Sequence, residues 1–370
     1  MYISISYFGP NSKCGIGRYA GMLMKAGSRY TNVSAIYSAR QNLNFGHIDP
    51  DDDLASSSHF ILDKWSLNAL YKILPKLDPK NTIAHFHYPS TKPSITYLFS
   101  PLIFRILGFQ VYQTWHEELS RAGWVKAFIL RSATKNIFVV KEDFWERSSK
   151  YSRWVLKFFT LNYVQSAPLQ ILKTETIFDK KEILNSLNLK YDLDIFLVFG
   201  FIFAKRNIEL LLENIDTTSE VVIIAGDCNV DPKYYKKLKK IIQNQNLQDS
   251  VKFIGFTENN ELASLIAASS GIVFTNRGGI YNWNTSFLLS CYSSRPVIYL
   301  YDENNAKPEI PEFTGTSLDF GLPECSSDEL RLFMDKAKKI PSSEIKFFDI
   351  NSIWKQVYDD HNFYVSRMKL

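Results

Sequence analysis

Short apolar runs and amphipathic stretches follow one another along the whole chain, and their order predicts alternating strands and helices. Tyr2–Phe8 reads as a first buried strand, about Ile16 to Ser28 as a helix and Val33–Tyr37 as a second strand. Leu67–Leu77 reads as a helix with Leu67, Leu70, Tyr71 and Leu74 on one face. Further strands are expected over Thr82–His87, Phe109–Trp115 and Asn136–Val140. The second half repeats the theme, with strands over Ile195–Gly200, Val221–Ala225, Val251–Phe253, Gly271–Thr275 and Pro296–Tyr301. Helices over Asn207–Ile215, Pro232–Gln243, Asn260–Ala268 and Thr285–Ser293 separate them, and Ser352–Met368 reads as a last helix. The polar stretch Lys173–Lys190 reads as a linker between the halves. Strands alternating with helices imply parallel βαβ units. The expected fold is therefore α/β, with two Rossmann-like domains over 1–174 and 175–345 and a closing segment, 346–370, packing back on the first.

Composition narrows the class. Of 370 residues 45% are hydrophobic and 22% charged, which excludes a disordered or low-complexity chain. Aromatic residues reach 15%, so large rings fill cores or line a sugar, base or lipid surface. The most apolar stretch, Ile95 to Val111, carries Pro101, Arg105 and Gln110 and falls short of the roughly 20 apolar residues a bilayer span needs. Met1–Phe8 lacks the basic start of a signal peptide. Cys14, Cys228, Cys291 and Cys325 are far apart, which suits a reducing cytoplasm and no zinc site. Net charge is uneven: +9 up to Lys180 and −4 beyond it. A basic first half suits an anionic membrane surface or an anionic ligand, and a plainly solvated surface accounts for it equally well.

Four clusters carry candidate chemistry. Gly15-Ile16-Gly17-Arg18-Tyr19-Ala20 fits Gly-x-Gly-x-x-Gly/Ala in form. A nicotinamide-binding unit would place its glycines directly after the strand and an acid about 20 residues on, but Thr31–Arg40 holds no Asp or Glu. The glycines still open a helix, where bare N–H groups suit an anion; a plain tight turn is the alternative. Phe199-Gly200-Phe201 through Lys205-Arg206 ends a strand and precedes a helix, where phosphates bind in open α/β sheets. Cations there oppose the helix dipole and call for an anion, unless they are merely surface residues. Tyr281-Asn282-Trp283-Asn284-Thr285-Ser286 places an N-cap and hydroxyls before an apolar helix, which suits a phosphate, a sugar hydroxyl or ordinary capping. His85-Phe86-His87 and Trp115-His116-Glu117-Glu118 each end a strand, so His116 and Glu117 are candidates for a general base or for orienting an acceptor hydroxyl, with a structural role open for each histidine. Their spacing does not fit a His-x-x-x-His metal site.

Together these segments resemble nucleotide-sugar-dependent glycosyltransferases of the GT-B fold, of the kind that build bacterial surface polysaccharides. The resemblance is best from the Phe199-Gly200 turn with Lys205, through Val222–Asp227, Val251–Phe256 and Glu261–Ser270, to Asn284–Ser286 and Arg295-Pro296-Val297. The Gly15–Tyr19 loop, His87 and His116 match more loosely. One departure is plain. Many retaining members carry Glu-x₇-Glu where this chain has Tyr281 and Leu289. Glu303 or Glu309 is a candidate for the ribose contact that the second Glu makes in the family.

The resemblance implies two Rossmann-like domains facing across a cleft, and transfer of a sugar from a UDP- or GDP-sugar to the hydroxyl of a glycan or lipid-linked oligosaccharide. It implies donor contacts at Gly15, Gly17, Lys205, Arg206, Gly226, Phe256, Tyr281, Asn284, Thr285 and Ser286, and acceptor contacts at Arg18 and His87. His116 and Glu117 are the catalytic candidates. It implies no metal or cofactor and no nucleic-acid partner. A cytoplasmic enzyme touching the inner face of the membrane is the expected setting. The aromatic and basic side chains for that contact are Lys64-Trp65, Tyr71-Lys72, Trp124 and Arg153-Trp154 through Lys157-Phe158-Phe159. The alternatives are a non-catalytic nucleotide-sugar-binding homologue and a dinucleotide-dependent oxidoreductase.

Overall fold

The computed structural model describes residues 1–7, 15–38, 58–88, 94–116, 124–139, 150, 153–154, 157–158, 161–164, 179–190, 192–257, 259–281, 284–293, 295–302, 319–323, 327–340 and 350–366. In chain order the elements are β1 (Tyr2–Ile5), α1 (Gly15–Gly27), β2 (Val33–Ser38), β3 (Ser58–Leu62), α2 (Leu67–Ile73), β4 (Ile83–Tyr88), α3 (Ile95–Ile106) and β5 (Gln110–Trp115). They continue with α4 (Trp124–Ser132), β6 (Lys135–Phe138), β7 (Leu161–Tyr163), α5 (Lys180–Ser186), β8 (Asp194–Phe199), α6 (Ile208–Leu212), β9 (Glu220–Ala225) and α7 (Pro232–Asn244). Then follow β10 (Val251–Phe253), α8 (Asn259–Ala268), β11 (Gly271–Phe274), α9 (Thr285–Cys291), β12 (Val297–Tyr301), β13 (Asp319–Pro323), α10 (Ser327–Lys338) and α11 (Ile350–Ser366).

The chain divides into two compact units, 1–169 with 350–370, and 170–349. The first holds a seven-stranded sheet in the order β3-β2-β1-β4-β5-β6-β7, the second a six-stranded sheet in the order β10-β9-β8-β11-β12-β13. Each strand pair in both sheets is parallel. Central strands are apolar on both faces, as sheets covered on both sides require: Val221, Val222, Ile223 and Ile224 are each 0% exposed. Both units are therefore Rossmann-like.

Local chemistry sets the boundaries. Leu67–Leu77 is not one continuous α-helix. Ser66 caps α2 by accepting from the Ala69 N–H, but Pro75 converts its end to a 3₁₀ turn over Leu74–Lys76. Pro101 sits inside α3 and leaves the Tyr97 carbonyl without its helical donor; the Tyr88 hydroxyl donates to that oxygen instead, at 3.3 Å. The expected linker is also corrected: Lys180–Ser186 is helical. Asp179 and Glu182 form a capping box, and Ile183 and Leu184 are buried. Residues 173–178 of that stretch lie outside the described residues. Strands β3, β7 and β13 and helices α3, α4 and α10 add to the elements expected from sequence.

In the first unit α11 lies along α1. A Cβ on Gly27 would fall 2.4 Å from a Tyr358 ring carbon, so only glycine admits that ring. Tyr30 stacks on Tyr358, and Trp354 meets Tyr19 edge to face at 4.9 Å. In the second unit Glu220, fully buried, is held by Arg331 and Lys338 of α10, which fixes that helix to the start of β9.

Candidate functional site

In the second sheet the chain leaves β8 for β9 on one side, while β11 flanks β8 on the other. The carboxyl ends of β8 and β11 thus form the switch point where open α/β sheets bind ligands. The turn after β8 is built for close approach. Gly200 has φ +100°, which favours glycine, and donates to the Ala225 carbonyl at 3.1 Å. Gly226 must lack a side chain, because a Cβ there would fall 1.9 Å from the Gly200 carbonyl oxygen. The expected donor residue Gly226 thus shapes the turn.

Lys205 and Arg206 were expected at a helix start. They lie instead in a 3₁₀ turn, Ala204–Arg206, and left-handed Asn207 (φ 49°) separates them from α6. The Lys205 side chain is exposed, whereas Arg206 is only 3% exposed. Arg206 Nη2 donates to the Phe199 carbonyl at 2.7 Å and Nε to the Phe201 carbonyl at 3.2 Å. Its guanidinium lies 5.3 Å over the Phe274 ring. Nη1 is buried without a hydrogen-bond partner. Burial pushes the Arg206 guanidinium down to about 10.

Three elements converge here. A Cβ on Gly200 would sit 2.6 Å from Arg206 Nη2 and 2.7 Å from Ser286 Oγ, so the turn after β8 and the first turn of α9 open onto the same spot. Asn284 caps α9, its Oδ1 accepting from the Phe287 N–H at 3.0 Å; Thr285 and Ser286 follow, partly buried. The Tyr281 hydroxyl donates to the Gly278 carbonyl at 2.7 Å, and its own carbonyl accepts from the Asn284 N–H. Leu289, at the place of the second family carboxylate, is only 2% exposed and packs in the core. Phe256, partly buried, follows Gly255 beyond β10; a Cβ on Gly255 would meet nothing within 4 Å, so that loop borders open space. Asn282, Trp283, Glu303 and Glu309 lie outside the described residues.

Sequence reasoning missed Arg277 and Glu209. The Arg277 N–H donates to the Lys205 carbonyl at 2.8 Å, and its side chain to Asn207 Oδ1 and Glu209 Oε1, both at 3.1 Å. Glu209 also takes Lys237 at 2.7 Å and the Tyr234 hydroxyl. Thr275 Oγ1 donates to the Arg206 carbonyl at 2.9 Å. The loop after β11 is therefore stitched to the Lys205–Arg206 turn. A cation followed by the Gly278-Gly279 doublet directly after a strand was the available signal.

In the first unit Gly15 and Gly17 open α1, which follows β1, and Arg18 is partly buried beside them. Tyr19 of the same turn meets His116 edge to face at 4.6 Å. His87 is 0% exposed: Ser4 Oγ lies 3.2 Å from its Nε2 and His116 Nε2 lies 3.3 Å from its Nδ1. With both nitrogens occupied, His87 positions His116 and is not free to touch an acceptor as expected. His85 lies between Tyr2 OH and Thr114 Oγ1, each at 2.6 Å. His361 of α11 reaches Thr114 at 3.5 Å and the Val357 carbonyl at 2.7 Å. Burial, then the neighbouring imidazoles, lowers three of these histidines: His116 falls to about 3, and His85 and His87 fall well below the ordinary value. For His361 burial dominates, opposed by the hydrogen bond to the Val357 carbonyl and aided by Lys135, leaving it at about 4. Glu117 lies outside the described residues. Among the described residues no cluster of three or more His, Cys, Asp or Glu side chains could hold a metal ion.

Residues 179–280 match the family model of glycosyl transferases group 1. Across both units the fold is that of solved glycosyltransferases. HepE from Anabaena, solved with UDP and glucose, superposes with TM-score 0.63 at 12% identity over 100% of each chain. A glycosyltransferase from Rickettsia africae gives 0.64 at 13% identity over 96% of this chain and 93% of that one. Sucrose-phosphate synthase from Thermosynechococcus elongatus gives 0.62 at 14% identity over 100% and 99%. The chain has the GT-B fold, and within its second unit residues 179–280 are similar to glycosyl transferases group 1. No curated protein sequence matches the chain. The matched segment contains the Gly200 turn, Lys205, Arg206, Glu209, Gly226 and Arg277, and stops before the Asn284–Ser286 turn.

Proposed function

We propose that this protein transfers a sugar from a nucleoside-diphosphate donor, a UDP- or GDP-sugar, to a hydroxyl of a glycan or lipid-linked oligosaccharide in surface-polysaccharide synthesis. The observation that carries the reading is the Arg206 guanidinium: buried, hydrogen-bonded to neutral backbone carbonyls, with Nη1 unpartnered and Nη2 beside Gly200 and Ser286. A buried cation without an anion costs several kcal/mol, of order the penalty for one stranded member of an ion pair. An arriving phosphate relieves that cost, and HepE, solved with UDP and glucose, supplies the chemical class.

As the bond from the sugar to the diphosphate breaks, negative charge grows on the leaving phosphates. Arg206 meets that charge from a fixed, water-poor position, while exposed Lys205 and the Ser286 hydroxyl approach from the rim. Gly15 and Gly17 are the first unit's donor contacts, and Phe256, Tyr281, Asn284 and Thr285 those of the second. Arg18 contacts the acceptor. His116 at about 3 is too weak a base near neutral pH, so it orients the acceptor as a neutral imidazole. Glu117 is then the base. No metal or cofactor is needed in this scheme. The proposed setting is the cytoplasm, at the inner face of the membrane; among the described residues no helix is long and apolar enough to cross one.

A thermal-shift series with UDP, GDP, CMP and their sugars tests the reading. A nucleotide at about 100 times its Kd stabilises by roughly 2.7 kcal/mol. The shift is expected for UDP or GDP and lost in Lys205→Ala; absence of any shift would remove the donor site. Buried Leu289 in place of a family carboxylate favours one second reading, a nucleotide-sugar-binding homologue without turnover. Donor protection with no transfer to any acceptor would establish it.

A further inference from the structure

In the first unit the chain passes from β3 through α2 to β4, then through α3 to β5 and through α4 to β6. All these crossovers run in the same direction across a parallel sheet, and right-handed connections put α2, α3 and α4 on the same face. Their outer surface is unusually apolar. On α3, Ile95 and Ile106 are each 74% exposed and Phe99 is 40% exposed. With partly buried Leu102 these residues are spaced by four, three and four positions and form a single stripe. The opposite side of α3, with Tyr97, Ser100, Pro101 and Phe104, faces the core.

The stripe continues sideways. Phe99 meets exposed Phe128 of α4 at 5.4 Å; beneath the surface, core-facing Tyr97 packs on buried Trp65, just ahead of α2, at 4.9 Å and ties α2 to α3. Leu67 and Tyr71 then stand exposed one turn apart on α2. Arg105, the charged residue of α3, is turned aside: its Nη1 donates to the carbonyls of Arg131 and Ala133. Around this patch Lys64, Lys72, Lys76, Lys80 and Arg131 are exposed, against exposed Asp63 and Asp78 among the described residues of 63–132.

We infer that the α2–α3–α4 face docks on an anionic lipid bilayer, with the Ile95–Phe99–Ile106 stripe entering the interface. This rests on the membrane partner named above and is independent of sugar transfer. An apolar stripe with a basic rim matches an anionic interface. A two-fold pairing with a second copy would set the same basic rim against itself. The docking side chains differ in part from those expected from sequence. Trp65 is 5% exposed and belongs to the core, whereas Tyr71 at 75% fits the face.

The test is co-sedimentation of the full chain with vesicles of phosphatidylcholine alone or mixed with phosphatidylglycerol, together with its molar mass by light scattering. The variants are Ile95→Ser/Phe99→Ser/Ile106→Ser and, separately, Lys64→Glu/Lys72→Glu. Wild type is expected to pellet with the anionic vesicles. The serine variant should bind at least about tenfold more weakly while its melting temperature is kept, and the glutamate variant should lose the preference for anionic lipid. Wild-type binding that the serine variant retains would overturn this face and leave the membrane partner standing. No wild-type binding would overturn both. A wild-type dimer that the serine substitutions split would assign the stripe to a second copy instead.

Discussion

Arg206 and Ser286 lie on different elements and meet over the same glycine: a Cβ on Gly200 would contact Arg206 Nη2 at 2.6 Å and Ser286 Oγ at 2.7 Å. That absent side chain is the space a phosphate oxygen would use. Gly200→Ala therefore brings two penalties. The backbone at φ +100° is strained for any L side chain, costing about 1–3 kcal/mol, and the methyl group pushes the guanidinium and hydroxyl apart. The expected result is a lower melting temperature for the second unit together with loss of the nucleotide-induced shift. A variant that still shows the full shift would place the phosphate elsewhere.

Arg206→Met separates binding from folding. The substitution removes a buried charge that has no carboxylate partner, at the expense of the donors to the Phe199 and Phe201 carbonyls. The two effects oppose each other, so stability without ligand should change by no more than about 1–2 kcal/mol. The nucleotide-induced shift should vanish. Urea unfolding with and without UDP or GDP reads both quantities on one sample. A large loss of apo stability with the shift preserved would make Arg206 a brace for the turn alone.

Much of this site was legible because it follows the strand–turn–helix grammar of a parallel sheet. The strand running into Gly200 and the cap at Asn284 are local patterns of apolar runs and short polar residues, and both are in place. The division of labour between Lys205 and Arg206 was not legible. Adjacent cations look alike in sequence, and left-handed Asn207 rotates one inward and leaves the other in solvent. Arg277 and Glu209 are 68 positions apart, and only the pairing of β8 with β11 makes them neighbours. Helix α3 was read as a stretch too interrupted to span a bilayer. Pro101 gives no sign in sequence that the Tyr88 hydroxyl will satisfy the carbonyl it strands.

Glu209 offers a test of that long-range stitch. Burial pushes its carboxyl up, but hydrogen bonds from Lys237 and Tyr234 outweigh burial and hold it below the ordinary carboxylate value. A lowered folded pKa contributes stability above the unfolded value near 4.3, lost as pH falls through the folded one. Glu209→Ala should cost about 1–3 kcal/mol at pH 7, discounted toward the lower end because Lys237 and Arg277 are half-exposed. Chemical denaturation at a series of pH values should show the gap to wild type closing in acid. Nucleotide affinity should also fall, since the Arg277 side chain loses its Glu209 anchor and the loop whose backbone N–H holds the Lys205 carbonyl is less firmly fixed. Unchanged affinity would confine Glu209 to stability.

Four neighbouring imidazoles of the first unit give a prediction with the opposite chemistry and the same sign. Buried His85, His87 and His361 and half-buried His116 are neutral in the folded chain, with folded pKa values below the unfolded value near 6.5. Between those limits the unfolded chain binds more protons, so stability is complete above about pH 6.5 and is lost as pH falls toward 4. Each histidine contributes a slope of up to about 1.4 kcal/mol per pH unit in that window. Above about pH 5 the carboxylates stay largely ionised, so the histidine effect is read there. In histidine-resolved NMR the ring signals of these four residues should stay at their neutral positions down to pH 5. The Tyr19 ring at 4.6 Å makes His116 the most readily assigned by its ring-current shift. If His116 titrates near pH 6.5 in the folded protein, it is solvated and charged rather than held neutral. It would then serve as an acid–base group in its own right, and the role given to Glu117 would pass to it.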